Sequence, residues 1–226
     1  MAGLTPAILV ARYPKLFHVA AHGSWESIQR YGLLSTTRLL EHFEVERALS
    51  SQLLTKQRKT SVSIAHPTHG RAVLRDQKVL SESKLAKCLY GCDVPTWLKF
   101  LNDRVFFWLD EERLEGFLGA AEYQGKVQTL LHLEIGSLLK DYGPNVLLSH
   151  MNTGNTRPFA HPRGLETFKT VADYPYETRR RLKNYSAIVE FTVFGGVPNV
   201  ADYVTRVEHV GASEGKRRVL EVIFER

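Results

Sequence analysis

The stretch Phe17 to Ser35, FHVAAHGSWESIQRYGLLS, decides how the rest of the chain is read. Leu16 to Ala20 is a short apolar run around His18 and reads as a strand. A helix follows: Ser24 is placed as its N-cap, Trp25, Ile28 and Tyr31 recur at helical spacing, and Gly32 stops it. A strand followed by a helix opens the chain, and the remaining segments extend this mixture of the two.

Working outward, Thr36 to Leu54 reads as a second, longer helix. Val62 to Leu74 reads as two strand pieces around Pro67 and Gly70. Leu80 to Leu101 reads as two helical segments split near Gly91 and Pro95. Arg104 to Leu109 (RVFFWL) is a compact buried strand, with a helix from Glu111 to Tyr123 behind it. Val127 to Ile135 (VQTLLHLEI) and Asn145 to Ser149 are further strands. His150 to Lys183 is rich in glycine and proline and reads as a long loop of the kind that is functional or disordered. Ala187 to Phe194, Val204 to Val210 and Arg218 to Phe224 close the chain as strands. With no linker, repeat or low-complexity segment, residues 1–226 read as a single α+β domain.

Composition narrows the function classes. The chain is 43% hydrophobic and 24% charged, which is an ordinary globular profile. Its two cysteines cannot make a disulfide scaffold, and runs such as Val105 to Leu109 fall far short of the roughly 18 residues a membrane span needs. Met1 to Val10 lacks a signal-peptide pattern, so a cytoplasmic location with no membrane partner is expected. Thirty Lys and Arg against 24 Asp and Glu leave a net charge of +6, which permits an anionic partner. The densest clusters, Lys56 to Lys59 and Arg179 to Lys183, read equally as solvated surface.

Motifs exclude several enzyme classes. There is no GxSxG elbow, no GxGxxG and no GxxxxGK[ST] loop. His66 and His69 with Cys88 and Cys92 are two ligand pairs that could hold zinc, but HPTHG is a turn and the cysteines fit one helix face. No metal is expected.

The order of the motifs resembles the ADP-ribosyltransferase fold, and its DarT-type members in particular. The segments that carry this are HVAAHGSWESIQRYGLL, the VFFW strand, TLLHLEIGSLL and SAIVEFTVFGGVPNVADYVTRV. The resemblance implies a split mixed β-sheet core with N-terminal helices and NAD as substrate. Where the DarT pattern has His-x-Thr, this chain has His18-Val19-Ala20, so the ligand contact of that hydroxyl is lost or replaced by one from Ser35 or His22, neither of which is at the family spacing. More closely still, HPTHGRAVLRDQ, NDRVFFWL, LSHMNTGNTRPFAHPRG and ADYPYE resemble a bacterial family of unknown function across nearly the whole chain.

Cleaving NAD's glycosidic bond passes through an oxocarbenium-like ribose, which one carboxylate can stabilise. Glu190, within the apolar IVEFTV strand, is the catalytic candidate; its alternative is a solvated strand Glu. His18 is the ribose anchor or a core histidine. Arg75, with Arg71 as competitor, is the pyrophosphate ligand or a surface arginine. Asn152, Thr153 and Arg157 sit in a polar loop that lines the cleft or forms an Asx turn. Phe107 and Tyr123 stack on nicotinamide or fill the core. Phe159, Phe168, Tyr174 and Tyr176 could stack bases of an acceptor.

These readings imply an NAD-dependent ADP-ribosyltransferase acting on a base of single-stranded DNA or RNA, or an NAD glycohydrolase. A toxin or phage-defence role with an antitoxin or hydrolase partner fits the resemblance. Alternatives are a non-catalytic nucleotide or nucleic-acid binding module and an RNA 2′-phosphotransferase.

Overall fold

A computed structural model describes residues 3–182, 186–213 and 215–226. A helix not anticipated from the sequence comes first, α1 (Pro6–Arg12), where Thr5 accepts from the Ile8 amide and Pro6 supplies a helical φ. β1 (Lys15–Ala21) and α2 (Trp25–Tyr31) follow as expected. Gly32 ends α2 with φ 89°, and a Cβ there would sit 2.3 Å from the Pro198 carbonyl oxygen, so no other residue fits.

After β2 (Leu33–Leu34), the expected helix from Thr36 to Leu54 is in fact two, α3 (Thr36–His42) and α4 (Arg47–Thr55). Glu44 takes φ 50°, and the Glu46 carboxylate accepts from the Ala48 and Leu49 amides, which starts a new helix. β3 (Val62–His66) and β4 (Gly70–Leu74) form the hairpin read from Pro67 and Gly70. α5 (Glu82–Cys88) and α6 (Val94–Asn102) are divided by a loop that holds Cys92, so the two cysteines do not share a helix face.

β5 (Arg104–Trp108) leads to α7 (Glu111–Leu118), which stops short of Tyr123. β6 (Gln128–Glu134) runs directly into α8 (Ile135–Tyr142), a helix in the stretch the sequence reading leaves unassigned between two strands; the Glu134 carboxylate caps it on the Gly136 and Ser137 amides. β7 (Val146–Ser149), β8 (Phe168–Lys169) and α9 (Tyr176–Arg179) punctuate the long loop. β9 (Glu190–Phe194), β10 (Gly196–Val197), β11 (Val204–Ser213) and β12 (Lys216–Glu225) complete the chain. β9 begins at Glu190, later than the apolar run that starts at Ala187.

Eight strands make one sheet in the order β12-β11-β6-β1-β5-β9-β7-β8. Its ladders are antiparallel throughout, which corrects the expectation of a mixed sheet. Apolar runs buried on both faces look alike in parallel and antiparallel strands, so direction was not readable from pattern. The chain is thus α+β with a large antiparallel sheet.

The sheet parts near its centre. β1 pairs with β6 from Lys15↔Glu134 to Ala21↔Gln128, yet meets β5 only at Phe17↔Trp108. On one face, Leu16, Phe107, Leu131 and Phe191 pack with α2 and α8; on the other, Phe17, Val19 and Leu130 pack under Leu114 and Leu118 of α7. The side-chain alternation of β1 thus feeds both cores. Among the described residues, no helix is long and apolar enough to cross a membrane.

Candidate functional site

Where β1 and β5 separate, a cleft of about 340 Å³ opens, within the size range of small-molecule sites. His18 and Ala20 from β1, Arg75 from the end of the hairpin, Asn152 from the long loop and Glu190 from β9 all line it. Residues far apart in sequence therefore converge where the sheet is open.

His18 Nδ1 lies 2.9 Å from the Phe106 carbonyl oxygen. That oxygen can only accept, so Nδ1 carries the proton and Nε2 is left as an acceptor. Burial pushes the ring's pKa down to about 4, and the nearby Arg75 charge acts in the same direction. The imidazole is neutral across the physiological range.

Glu190 is 6% exposed. Its Oε1 accepts from the Thr153 amide at 3.0 Å and its Oε2 from the Thr153 hydroxyl at 2.8 Å. Burial raises its pKa to about 8, against the opposing pull of the Thr153 bonds and the Arg163 charge. The Thr153 position is itself fixed: Arg163, buried, donates to the Thr153 carbonyl at 2.8 Å and the His161 carbonyl at 3.0 Å. Thr153 therefore holds the candidate acid; Asn152 and Gly154 beside it are the loop residues on the cleft wall.

Arg75 donates to the Val19 carbonyl at 2.7 Å and to Gln128 Oε1 at 2.6 Å. Its guanidinium carbon lies 5.4 Å from the ring centroids of both Phe117 and Tyr123. No carboxylate among the described residues forms an ion pair with it. A half-buried, oriented cation that no carboxylate contacts directly is suited to an anionic ligand. Arg71, its competitor from sequence, is exposed on the hairpin.

The other candidates divide. Ser35 is on the cleft wall, where its oxygen accepts from the Arg38 amide and its hydroxyl hydrogen is left to donate. Phe107 touches the cleft from the core, edge-on to Phe191 and 5.7 Å from His18. Tyr123 is buried beneath Arg75. Arg157 is not with them: it lies 3.6 Å from Glu122 in a separate basin with Lys59 and Lys78. His22 is exposed and packs on His209, away from the cleft. Phe168, Tyr174 and Tyr176 are core residues; Phe159 alone of that set is open to stacking, at 74% exposure.

The remaining sequence readings resolve as follows. His66 and His69 stack at 4.4 Å, and among the described residues no group of three His, Cys, Asp or Glu is placed to hold a metal ion. Arg58, read as part of a solvated cluster, is buried on the cleft wall, bound to Asn102 Oδ1 at 2.9 Å and the Leu53 carbonyl at 2.8 Å. Arg180 pairs with Glu177, and Lys183 lies outside the described residues. Arg104, Asn102 and Arg163 were missed altogether, because single polar residues beside apolar runs carry no spacing signal.

The fold and cleft define a class: an α+β protein with an antiparallel sheet opened beside a histidine, a buried carboxyl group and an unpaired guanidinium. The chain belongs to a family of unknown function (DUF7002), matched over residues 14–204, in agreement with the closer of the two resemblances. No curated protein and no solved structure matches it.

Proposed function

We propose that the cleft binds NAD and that the chain is an NAD-dependent ADP-ribosyltransferase, with hydrolysis of NAD as the outcome when water is the acceptor. The observation that carries this reading is that His18 and Glu190 line one cleft at the parting of the sheet, with Arg75 unpaired beside them. The five strands that bear the resemblance, β11, β6, β1, β5 and β9, are also contiguous in the sheet.

In this reading His18 Nε2 accepts a hydrogen bond from a ribose hydroxyl, and Ser35 donates where Ala20 has no hydroxyl to give. Arg75 pairs with pyrophosphate oxygens. The bond between ribose C1′ and the nicotinamide nitrogen breaks, and its electron pair leaves with nicotinamide. Glu190, as carboxylate, stabilises the cationic ribose and takes the proton of the acceptor as the acceptor atom bonds C1′. A base of single-stranded DNA or RNA is the acceptor class favoured by the net charge of +6.

The second reading, a non-catalytic nucleotide-binding module, is favoured by Ala20 at the position where the DarT pattern has threonine. Incubation with NAD and, in turn, single-stranded DNA, RNA, cell protein or buffer alone separates the two. A mass gain of ADP-ribose on one acceptor, lost in Glu190→Gln, supports transfer and names the acceptor. NAD binding without turnover in any mixture supports the module.

A further inference from the structure

Arg104 opens β5 and stands on the cleft wall, and the chemistry above does not use it. Its guanidinium lies 4.3 Å from the Phe100 ring centroid and 5.4 Å from that of Phe194. Its Nε and Nη1 are closed off from solvent and find no acceptor among the described residues. The adjacent carboxylate does not help. Asp103 is engaged by the Thr37 hydroxyl at 2.5 Å and Lys99 Nζ at 3.1 Å.

A buried donor without an acceptor is a standing loss of stability, and an apolar side chain would fill the space between two phenyl rings without it. The contrast with the other cleft arginines is sharp. Arg58 and Arg75 each donate to backbone carbonyls and side-chain amides, whereas Arg104 has ring faces alone. The rings hold the guanidinium plane and leave its donors unspent. One side of this clamp is movable: Phe194 is 49% exposed and precedes Gly195 and Gly196, both at positive φ.

We propose that Arg104 is a second oxyanion subsite of the cleft, which takes a phosphate group of the acceptor while Arg75 takes the pyrophosphate of NAD. Phe194 is its cover. Nε and Nη1 lie on different edges of the guanidinium; each shares its edge with Nη2, and either edge offers two donors to the oxygens of one phosphate. The assignment of the two anions to two arginines rests on the NAD reading; the subsite itself does not.

The test is calorimetric titration of inorganic phosphate, acetate and NAD into the wild type, Arg104→Met, Arg75→Met and Phe194→Ala, with thermal unfolding of each. Phosphate affinity is expected to fall about tenfold or more in Arg104→Met, the loss of a charge-assisted pair. NAD affinity and Tm should hold in that variant, and Phe194→Ala should bind phosphate more tightly. Unchanged phosphate binding together with a lower Tm in Arg104→Met would make the residue a structural clamp and overturn the proposal. An equal loss of NAD affinity would place Arg104 in the NAD site and overturn it too. Acetate binding as tightly as phosphate would overturn the assignment to phosphate. If NAD binds to no protein while phosphate still tracks Arg104, the NAD reading fails and the subsite stands.

Discussion

Thr153 holds Glu190 at both carboxyl oxygens, its amide on Oε1 and its hydroxyl on Oε2. The pair joins the long loop to the central sheet, and Arg163 locks the loop side of it through the Thr153 carbonyl. Removing the hydroxyl alone is therefore informative. Thr153→Val keeps the amide donor and the side-chain shape but withdraws one bond that favours the carboxylate. The pH at which activity reaches half its maximum should move upward, with a stability loss of about 1 kcal/mol. A pH–rate profile and denaturant unfolding measure the two effects; an unmoved profile would show that the hydroxyl does not tune Glu190.

Glu190 itself makes stability fall with pH. Its pKa is about 8 in the fold against about 4.5 for a free side chain. Between these values the native state keeps a proton that the unfolded chain releases, so stability declines as pH rises through that window and levels off above it. Glu190→Gln mimics the protonated form and has nothing to ionise. Its Tm relative to wild type should therefore rise by about 10 °C between pH 5 and pH 9. Parallel Tm curves for the two proteins would mean that the carboxyl group is not held neutral.

Arg75 serves both the fold and the ligand, and two variants separate these roles. Arg75→Met strands the Val19 carbonyl and Gln128, so a stability loss of about 1–3 kcal/mol is expected. It should also weaken NAD binding about tenfold to a hundredfold. Arg75→Lys keeps the charge without the planar fork and should fall between wild type and the methionine variant in NAD affinity. Calorimetry with NAD would show whether the charge matters at all: equal affinity in all three proteins would remove Arg75 from the ligand site.

Much of the frame was legible because local chemistry decides it. The Ser24 to Gly32 helix, the hairpin around Pro67 and Gly70, and the apolar β5 and β6 strands each carry their own start, period and stop. The failures have local causes as well. The single helix expected from Thr36 to Leu54 keeps its apolar spacing across the break, and nothing in that spacing marks Glu44 as left-handed. α8 has no separate start signal in the sequence, because its capping residue, Glu134, is also the last residue of a strand. In the site, Glu190 stood out as an acid in an apolar run, and His18 and Arg75 through resemblance and charge. Thr153 was read as a ligand contact because its hydroxyl could be seen but its tertiary partner could not. Arg163 and Arg104 are lone arginines whose meaning lies wholly in what surrounds them.

His18 gives the opposite pH response to Glu190. Its folded pKa of about 4 lies below the ordinary 6.5, so the stability it contributes is present above pH 6.5 and is lost as pH falls toward 4. His18→Phe keeps a ring in place and cannot take up that proton, so its acid-side loss of Tm should be shallower than that of the wild type. His150, also pushed down to about 4 by burial, leaves part of the loss intact. Identical acid limbs in the two proteins would show that His18 does not titrate from a buried neutral state.

The most direct measurement is nicotinamide release from NAD between pH 6 and pH 9, by the wild type and Glu190→Gln, with single-stranded DNA, RNA and cell protein supplied together. The expected result is release by the wild type that climbs through about pH 8, as the Glu190 proton is lost, and none from Glu190→Gln. Wild-type protein that releases no nicotinamide across this range, or a Gln variant that releases as much, would contradict the assignment of Glu190 and of NAD to this cleft.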